Sequence, residues 1–272
     1  MNNLKADLHL HSTISDGSLS SDQIITCAHK LGLQVISFVE HDTMQGYQEA
    51  EKAAAQYGIQ LIPGVELSAT CPMTGRKMHI LGYDIQDHAL VEDACSSILA
   101  SRNKAAQIII SRLQLLGYPL DYAEVAVYTG AAGTIYRQHI MHALCDRGYE
   151  TSIYGELYRR YYHTAFKTEL PSFGAFEAIN LIREAGGWAV LAHPYQYDSI
   201  DAIPALVAQG LSGLEACYPN HSDVQRAALS ALGDQYNLFL TGGSDNHGLY
   251  SEASWPIGCT AFVLEATHPL YP

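Results

Sequence analysis

Nowhere in the 272 residues does an apolar run approach the ~18 that a bilayer-spanning helix needs. The opening residues, MNNLKADLHLH, also lack the apolar core of a secretory signal. Cysteine is sparse, and the six thiols (Cys27, Cys71, Cys95, Cys145, Cys217, Cys259) form no C-x-x-C pair. A disulfide framework belongs mainly to short secreted chains, so free thiols in a reducing cytoplasm are expected, with no membrane association. Positive charge is scarce as well. Fifteen Lys and Arg face 28 Asp and Glu, a formal charge of −13, which argues against a surface that wraps long duplex nucleic acid. Charged residues make up only 16% and hydrophobic residues 48%, which excludes a disordered chain. The length suits one large α/β barrel or two ordinary domains.

The charge is uneven. Residues 101–167 hold eight Lys and Arg against five acids, a local +3, and leave −16 for the remainder. Such asymmetry marks a region that meets an anion. The rhythm of the chain changes in the same place. Up to about residue 83, short apolar runs alternate with helical patterns: strand 4–10, a helix opened by a Ser20/Gln23 capping box and stopped by Gly32, strand 35–40, a helix at about 45–57, strand 60–69, and a hairpin over 71–83 turning at Thr74-Gly75. From 174 onward the alternation resumes, with strands at 188–193, 211–218 and 238–244. Between lies a stretch that reads as helix throughout. The expectation is an α/β fold in which 1–100 and 169–272 build a barrel and 101–168 form a helical insertion or lid. Repeated strand–helix units place the site at the carboxyl ends of the strands.

The chemistry-bearing residues fall at those ends. His9 and His11 sit two apart at the end of the first strand, so both imidazoles share one face. Asp16 follows in a polar loop. His41, Glu66, His193 and Asp245 each lie at or just after a strand end, with His79 in the hairpin and His247 beside Asp245. Any one of them could be an ordinary structural hydrogen-bonder; their joint placement on one rim is what points to a metal centre. Nine mixed imidazole and carboxylate ligands exceed one ion and suit two or three of Mn²⁺, Zn²⁺ or Fe²⁺.

The segments DLHLHS with Asp16-Gly17, EHDT (40–43), PGVELS (63–68), HILGY (79–83), LAHP (191–194) and GSDNHG (243–248) resemble, in this order, the PHP (polymerase and histidinol phosphatase) family. The resemblance implies a distorted (β/α)₇ barrel with a two- or three-metal site. By position, His9, His11, Glu66 and Asp245 would hold one metal; Glu66 would bridge to a second held by His79 and His193; Asp16, His41 and His247 would hold a third. The insertion, the stretch Arg137-Gln138-His139-Ile140 through Gly148-Tyr149, and Tyr218-Pro219-Asn220-His221 look similar to the ribonuclease AM-like branch, which hydrolyses nucleoside 3′,5′-bisphosphates and trims RNA 5′ ends. Two positions depart from the family pattern: Glu40 stands where an Asp is usual, and Asn246 where an aromatic is frequent.

The expected activity is phosphoester hydrolysis by a metal-generated hydroxide. Two ions ~3.5–4 Å apart can clamp the attacking and leaving oxygens and bring water's pKa near neutrality. Glu66 and His193 would serve catalysis directly. His221 is the first candidate for general acid, its alternative being a surface histidine beside the next helix. Arg137, His139, Arg102, Lys104 and Asn246 are candidate substrate contacts, Arg offering phosphate a planar fork. Nine of the 18 tyrosines fall between 118 and 162, either stacking on bases or packing the insertion's own core, and of Tyr161-Tyr162 one should be exposed. The expected partner is a small phosphorylated nucleotide or short RNA. Competing readings are a phosphatase for another small monoester, such as histidinol phosphate, and a non-catalytic metal- or nucleotide-binding module.

Overall fold

The structure, a computed structural model, describes residues 3–251, 253 and 255–272. Strand β1 (Leu4–Leu10) is buried at every position from Ala6 onward, which explains why its sequence does not alternate. Helix α1 (Ser21–Lys30) opens on the expected capping box, Ser20 accepting from the Gln23 backbone while the Gln23 side chain bonds back. Then follow β2 (Val35–Phe38), α2 (Tyr47–Gln56), β3 (Gln60–Leu61), β4 (Gly64–Thr70) and β5 (Lys77–Tyr83). The strand expected over 60–69 is two strands. Pro63 has no N–H to give a ladder, and at Ile62-Pro63 the chain crosses from one sheet to another.

Helix α3 (His88–Leu115), α4 (Tyr122–Ala126), α5 (Arg137–Asp146) and α6 (Glu156–Tyr161) form the helical stretch. After it come β6 (Phe173–Gly174), α7 (Ala175–Glu184), β7 (Trp188–Leu191), α8 (Ile203–Gln209), β8 (Gly213–Cys217), α9 (Asp223–Tyr236), β9 (Phe239–Gly242) and β10 (Val263–Leu264). One sheet has the order β10-β1-β2-β3 and the other β6-β4-β5-β7-β8-β9. Two isolated bridges join the sheets, Leu10 with Asn246 and His41 with Glu66. The fold is α/β with mostly parallel pairing. Strand β5 is the main exception, antiparallel to both β4 and β7 as the 71–83 hairpin predicts. Among the described residues no helix is long and apolar enough to cross a membrane.

The boundary expected at residue 101 falls inside one unbroken helix. The first part of α3 packs Val91 and Cys95 into the main core between β4, β5 and α7. Its second part packs Ala106, Ile109, Ile110 and Leu113 against Ile140, Leu144, Leu157 and Phe166, a separate core belonging to the insertion. A single rigid helix therefore carries the insertion from the sheet that holds the site.

Candidate metal centre and substrate cavity

At the carboxyl ends of β1, β2 and β7, in the first halves of β4 and β5, and in the loop after β9, nine side chains converge; Glu66, expected at a strand end, is the third residue of β4 because the strand starts afresh after Pro63. Glu66 is the hub. Its Oε2 lies 3.3 Å from His9 Nε2, 3.2 Å from His11 Nε2 and 3.4 Å from His41 Nδ1. Its Oε1 lies 2.6 Å from His79 Nδ1 and 3.0 Å from His193 Nε2. Asp245 Oδ1 is 3.3 Å from both His9 Nε2 and His11 Nε2. Asp16 Oδ1 is 3.2 Å from His247 Nε2, and its Oδ2 is 3.9 Å from His41 Nε2.

Three groups of donor atoms are each compact enough to hold one ion: His9, His11, Glu66 and Asp245; His11, Asp16, His41 and His247; and His41, Glu66 and His79. His193 joins the last on the same Glu66 oxygen as His79. The groupings implied by the resemblance are thus brought together, with His11 and His41 each shared between neighbouring groups. Local backbone is tuned to this end. Asp42, His193 and Asp245 adopt left-handed φ values of 57°, 24° and 51°, uncommon for residues other than glycine.

The electrostatics fit cations. Burial works against charging His9 and His11, yet Glu215, Asp245 and Glu66 hold His9 well above the ordinary histidine range, and Asp245 and Glu66 raise His11 to about 10. Burial dominates at His41 and His79, which fall to about 3 and about 4. Against its own burial, Asp16 is held well below the carboxylate range by His247 and His41, and Glu66 by His79, His41 and His9. Several buried ring nitrogens (both of His11, His41 Nδ1, His79 Nε2 and His193 Nδ1) have no hydrogen-bond partner among the described residues. Five imidazoles cannot all donate to one carboxylate, so orphaned donors around a shared acidic hub are what a set of divalent cations would satisfy.

Outer contacts fix the rings. Glu215 accepts from His9 Nδ1 at 2.8 Å and from the His193 backbone N–H at 2.8 Å. Asp7 accepts from the Ser244 and Gly258 backbones, holding the loop before Asp245 against β1. Tyr218 donates to Asp245 Oδ2 at 3.1 Å, and Gln138 to Asp16 Oδ2 at 3.3 Å.

Beside the ligands opens a cavity of about 760 Å³, lined on its far side by the insertion. Arg137 and Arg102, two of the candidate substrate contacts, line it. The charge of Arg102 is committed, however, to a 2.7 Å ion pair with Asp42 and a bond to Ser68 beneath the Tyr136 ring. Four expected residues are placed elsewhere. His221 is bonded through Nδ1 to the Ala216 carbonyl and lies against Tyr218 and Tyr195, off the cavity lining; the turn after β8 presents Tyr218 to the cavity instead. Its position does not support the role of general acid. His139 is fully buried, its Nδ1 accepting from the Tyr136 backbone and its ring against Tyr250, so it caps α5 and does not reach phosphate. Lys104 is exposed and off the lining, and Asn246 braces its own loop through the Trp255 carbonyl and the Gly248 backbone.

Sequence reasoning missed Lys77. It stands two residues before His79 on β5, hence on the same face, and that spacing was the available signal. Its side chain is exposed on the cavity with the ammonium 5.0 Å from the centre of the Tyr197 ring, and partial desolvation, then the neighbouring Arg102, lowers its pKa. Among the described residues neither Lys77 nor Arg137 is in an ion pair.

The PHP domain model matches residues 7–198, the greater part of this arrangement. The chain belongs to the PHP domain family. It is 38% identical over 248 residues to the phosphoribosyl 1,2-cyclic phosphate 1,2-diphosphodiesterase of Eggerthella lenta, covering 90% of this chain and 94% of that one. Over 253 residues it is 34% identical to a 5′-3′ exoribonuclease of Haemophilus influenzae, covering 89% and 90%. A crystal structure of a proposed metal-dependent phosphoesterase from Bifidobacterium adolescentis superposes with a TM-score of 0.80 at 27% identity, covering 92% of this PHP protein and 90% of that chain.

Proposed function

We propose that this PHP protein hydrolyses a phosphoester on a ribose that carries a second phosphoryl group, one group held at the metal positions and the other by Lys77 and Arg137. It is a phosphoester hydrolase that uses divalent metals, held by His9, His11, Asp16, His41, Glu66, His79, His193, Asp245 and His247. Bound there, the ions would neutralise developing charge on the phosphoryl oxygens and supply a nucleophile near neutral pH. The protein's own part is to hold the ligands in register through Glu215, Asp7, Tyr218 and Gln138, and to orient the substrate in the cavity.

The observation that carries this reading is the pair of cations without acidic partners, Lys77 and Arg137, on the cavity that also contains Asp16, Glu66, His79 and Asp245. Phosphoribosyl cyclic phosphates, nucleoside 3′,5′-bisphosphates and 5′-phosphorylated RNA ends share one feature, two phosphoryl groups on a single ribose, and the first of these chemistries is named by a relative. A volume of about 760 Å³ lies within the usual range for a drug-sized ligand and suits a small phosphorylated molecule better than a long duplex. A kinetic panel of phosphoribosyl 1,2-cyclic phosphate, nucleoside 3′,5′-bisphosphates, 5′-phosphorylated RNA, mononucleotides and histidinol phosphate tests it. Substrates with two phosphoryl groups should lead in kcat/KM; a lead for histidinol phosphate or mononucleotides overturns the reading, and binding without turnover establishes a non-catalytic module.

A further inference from the structure

Glu40 immediately precedes the ligand His41, is 3% exposed, and belongs to none of the three donor groups. Its carboxylate takes every donor offered by two serines. The Ser12 backbone N–H lies 3.0 Å from Oε1 and the Ser15 backbone N–H 3.1 Å from Oε2, and both serine hydroxyls donate to it as well. No cation pairs with it among the described residues. Four donors on one buried carboxylate offset the loss of hydration without a counter-ion.

The positions of those serines give the clamp its meaning. Ser12 directly follows His11, and Ser15 directly precedes Asp16. Glu40 therefore grips the chain between two ligands while being joined covalently to a third. Its own carbonyl accepts from the Glu66 backbone N–H at 3.1 Å. The same loop reaches the fourth ligand of that position: the Ser18 backbone N–H donates to the His247 carbonyl at 3.1 Å, and Ser18 Oγ accepts from Leu249. The bend brings the backbone of residue 17 so close to the His11 carbonyl that only glycine fits, a Cβ there lying 2.3 Å from the carbonyl oxygen. Alone, the segment 12–15 has little apolar burial to hold it; Thr13 and Ile14 are only partly covered.

We infer that Glu40 is the positioning residue that assembles the metal position of His11, Asp16, His41 and His247, one of the three donor groups. This rests on the metal centre described above. The position is built from three chain segments, and the Glu40 carboxylate links two of them from behind while Ser18 links the third. An aspartate would withdraw the carboxylate by about 1.5 Å and could not reach both serines at once. A glutamine keeps the length but turns an amide donor toward one serine's two donors.

The test is position-resolved metal occupancy, read by anomalous diffraction at the Mn edge and by Mn²⁺ titration calorimetry on the full chain. Wild type should fill the His11/Asp16/His41/His247 position. Glu40→Gln should weaken Mn²⁺ there by about 10–100-fold, the usual cost of losing an outer partner, with the ions on Glu66 retained. Glu40→Asp should lie between the two. If Glu40→Gln misfolds or loses every ion together, Ser12→Ala decides, since it removes a hydroxyl donor to Glu40 and leaves the Ser15 Oγ contact with the ligand Asp16 in place; selective weakening at the same position supports the inference, and unchanged occupancy overturns it. A wild-type position empty of Mn²⁺, or full occupancy in Glu40→Gln, also overturns it. Normal Mn²⁺ occupancy in wild type with no turnover on the phosphate panel would instead defeat the functional reading and leave this inference standing.

Discussion

Five imidazoles around one carboxylate make Glu66 the most interdependent residue of the molecule, and the consequences can be argued ring by ring. His193 reaches Glu66 Oε1 at 3.0 Å from a backbone held at φ 24°, with its N–H on Glu215. Alanine at this position removes a donor atom but keeps the backbone bond. His193→Ala should therefore lower kcat/KM by more than the roughly 10–100-fold that an outer partner costs, while the metal-free protein melts near the wild-type temperature. A large fall in metal-free melting temperature would show that the ring is structural. His139 makes a different case. Burial lowers its pKa to about 4 in the folded chain from an ordinary value near 6.5. Above pH 6.5 both folded and unfolded states carry it neutral and it contributes no pH dependence. As pH falls from 6.5 toward 4 the unfolded state takes up the proton first, so stability is lost across that window. Thermal melts of His139→Asn, which retains an acceptor for the Tyr136 backbone, should fall less between pH 7 and pH 4.5 than those of wild type.

At the scale of elements, strand periodicity explains most of what the sequence made legible. Ligands at strand ends could be read because a strand delivers its last side chain to the rim whatever the packing around it, as β1 does with His9 and His11. The same rule applied to β5 would have found Lys77 beside His79. What could not be read were side chains whose role depends on a turn. The turn after β8 sends Tyr218 to the cavity and His221 behind it, and helix capping turns His139 inward; neither follows from residue type. The tyrosines of the insertion divide in the same way. Tyr118, Tyr122, Tyr128 and Tyr161 pack its core, whereas Tyr162 is 42% exposed and lies on the cavity with Arg137 5.9 Å from its ring. Tyr162→Ala should raise KM about tenfold with kcat unchanged, as expected for an aromatic face worth roughly 1–3 kcal/mol of uniform binding. An equal loss in kcat would place this ring at the reacting centre.

For the whole molecule, the charge asymmetry and the metal centre answer each other. The insertion's excess of Lys and Arg bears on the cavity only through Arg102 and Arg137, and the acidic remainder includes the buried carboxylates Asp7, Asp16, Glu66 and Glu215 and the partly buried Asp245, gathered at one rim. Without cations this rim holds charged and orphaned groups largely out of contact with water, an arrangement that costs stability. Ions that bind the folded chain and not the unfolded one should repay that cost by mass action, about 2.7 kcal/mol for each site at a hundredfold excess over its Kd. For a chain of this length that corresponds to a rise in Tm of several degrees per site. Exhaustive chelation should therefore abolish turnover and lower Tm together, and Mn²⁺ should restore both with the same concentration dependence. Restoration of Tm at concentrations well below those that restore turnover would mean that the tightest position is structural and that catalysis waits on a weaker one. Indifference of both to chelation would mean that the convergence of these nine side chains serves some purpose other than holding cations.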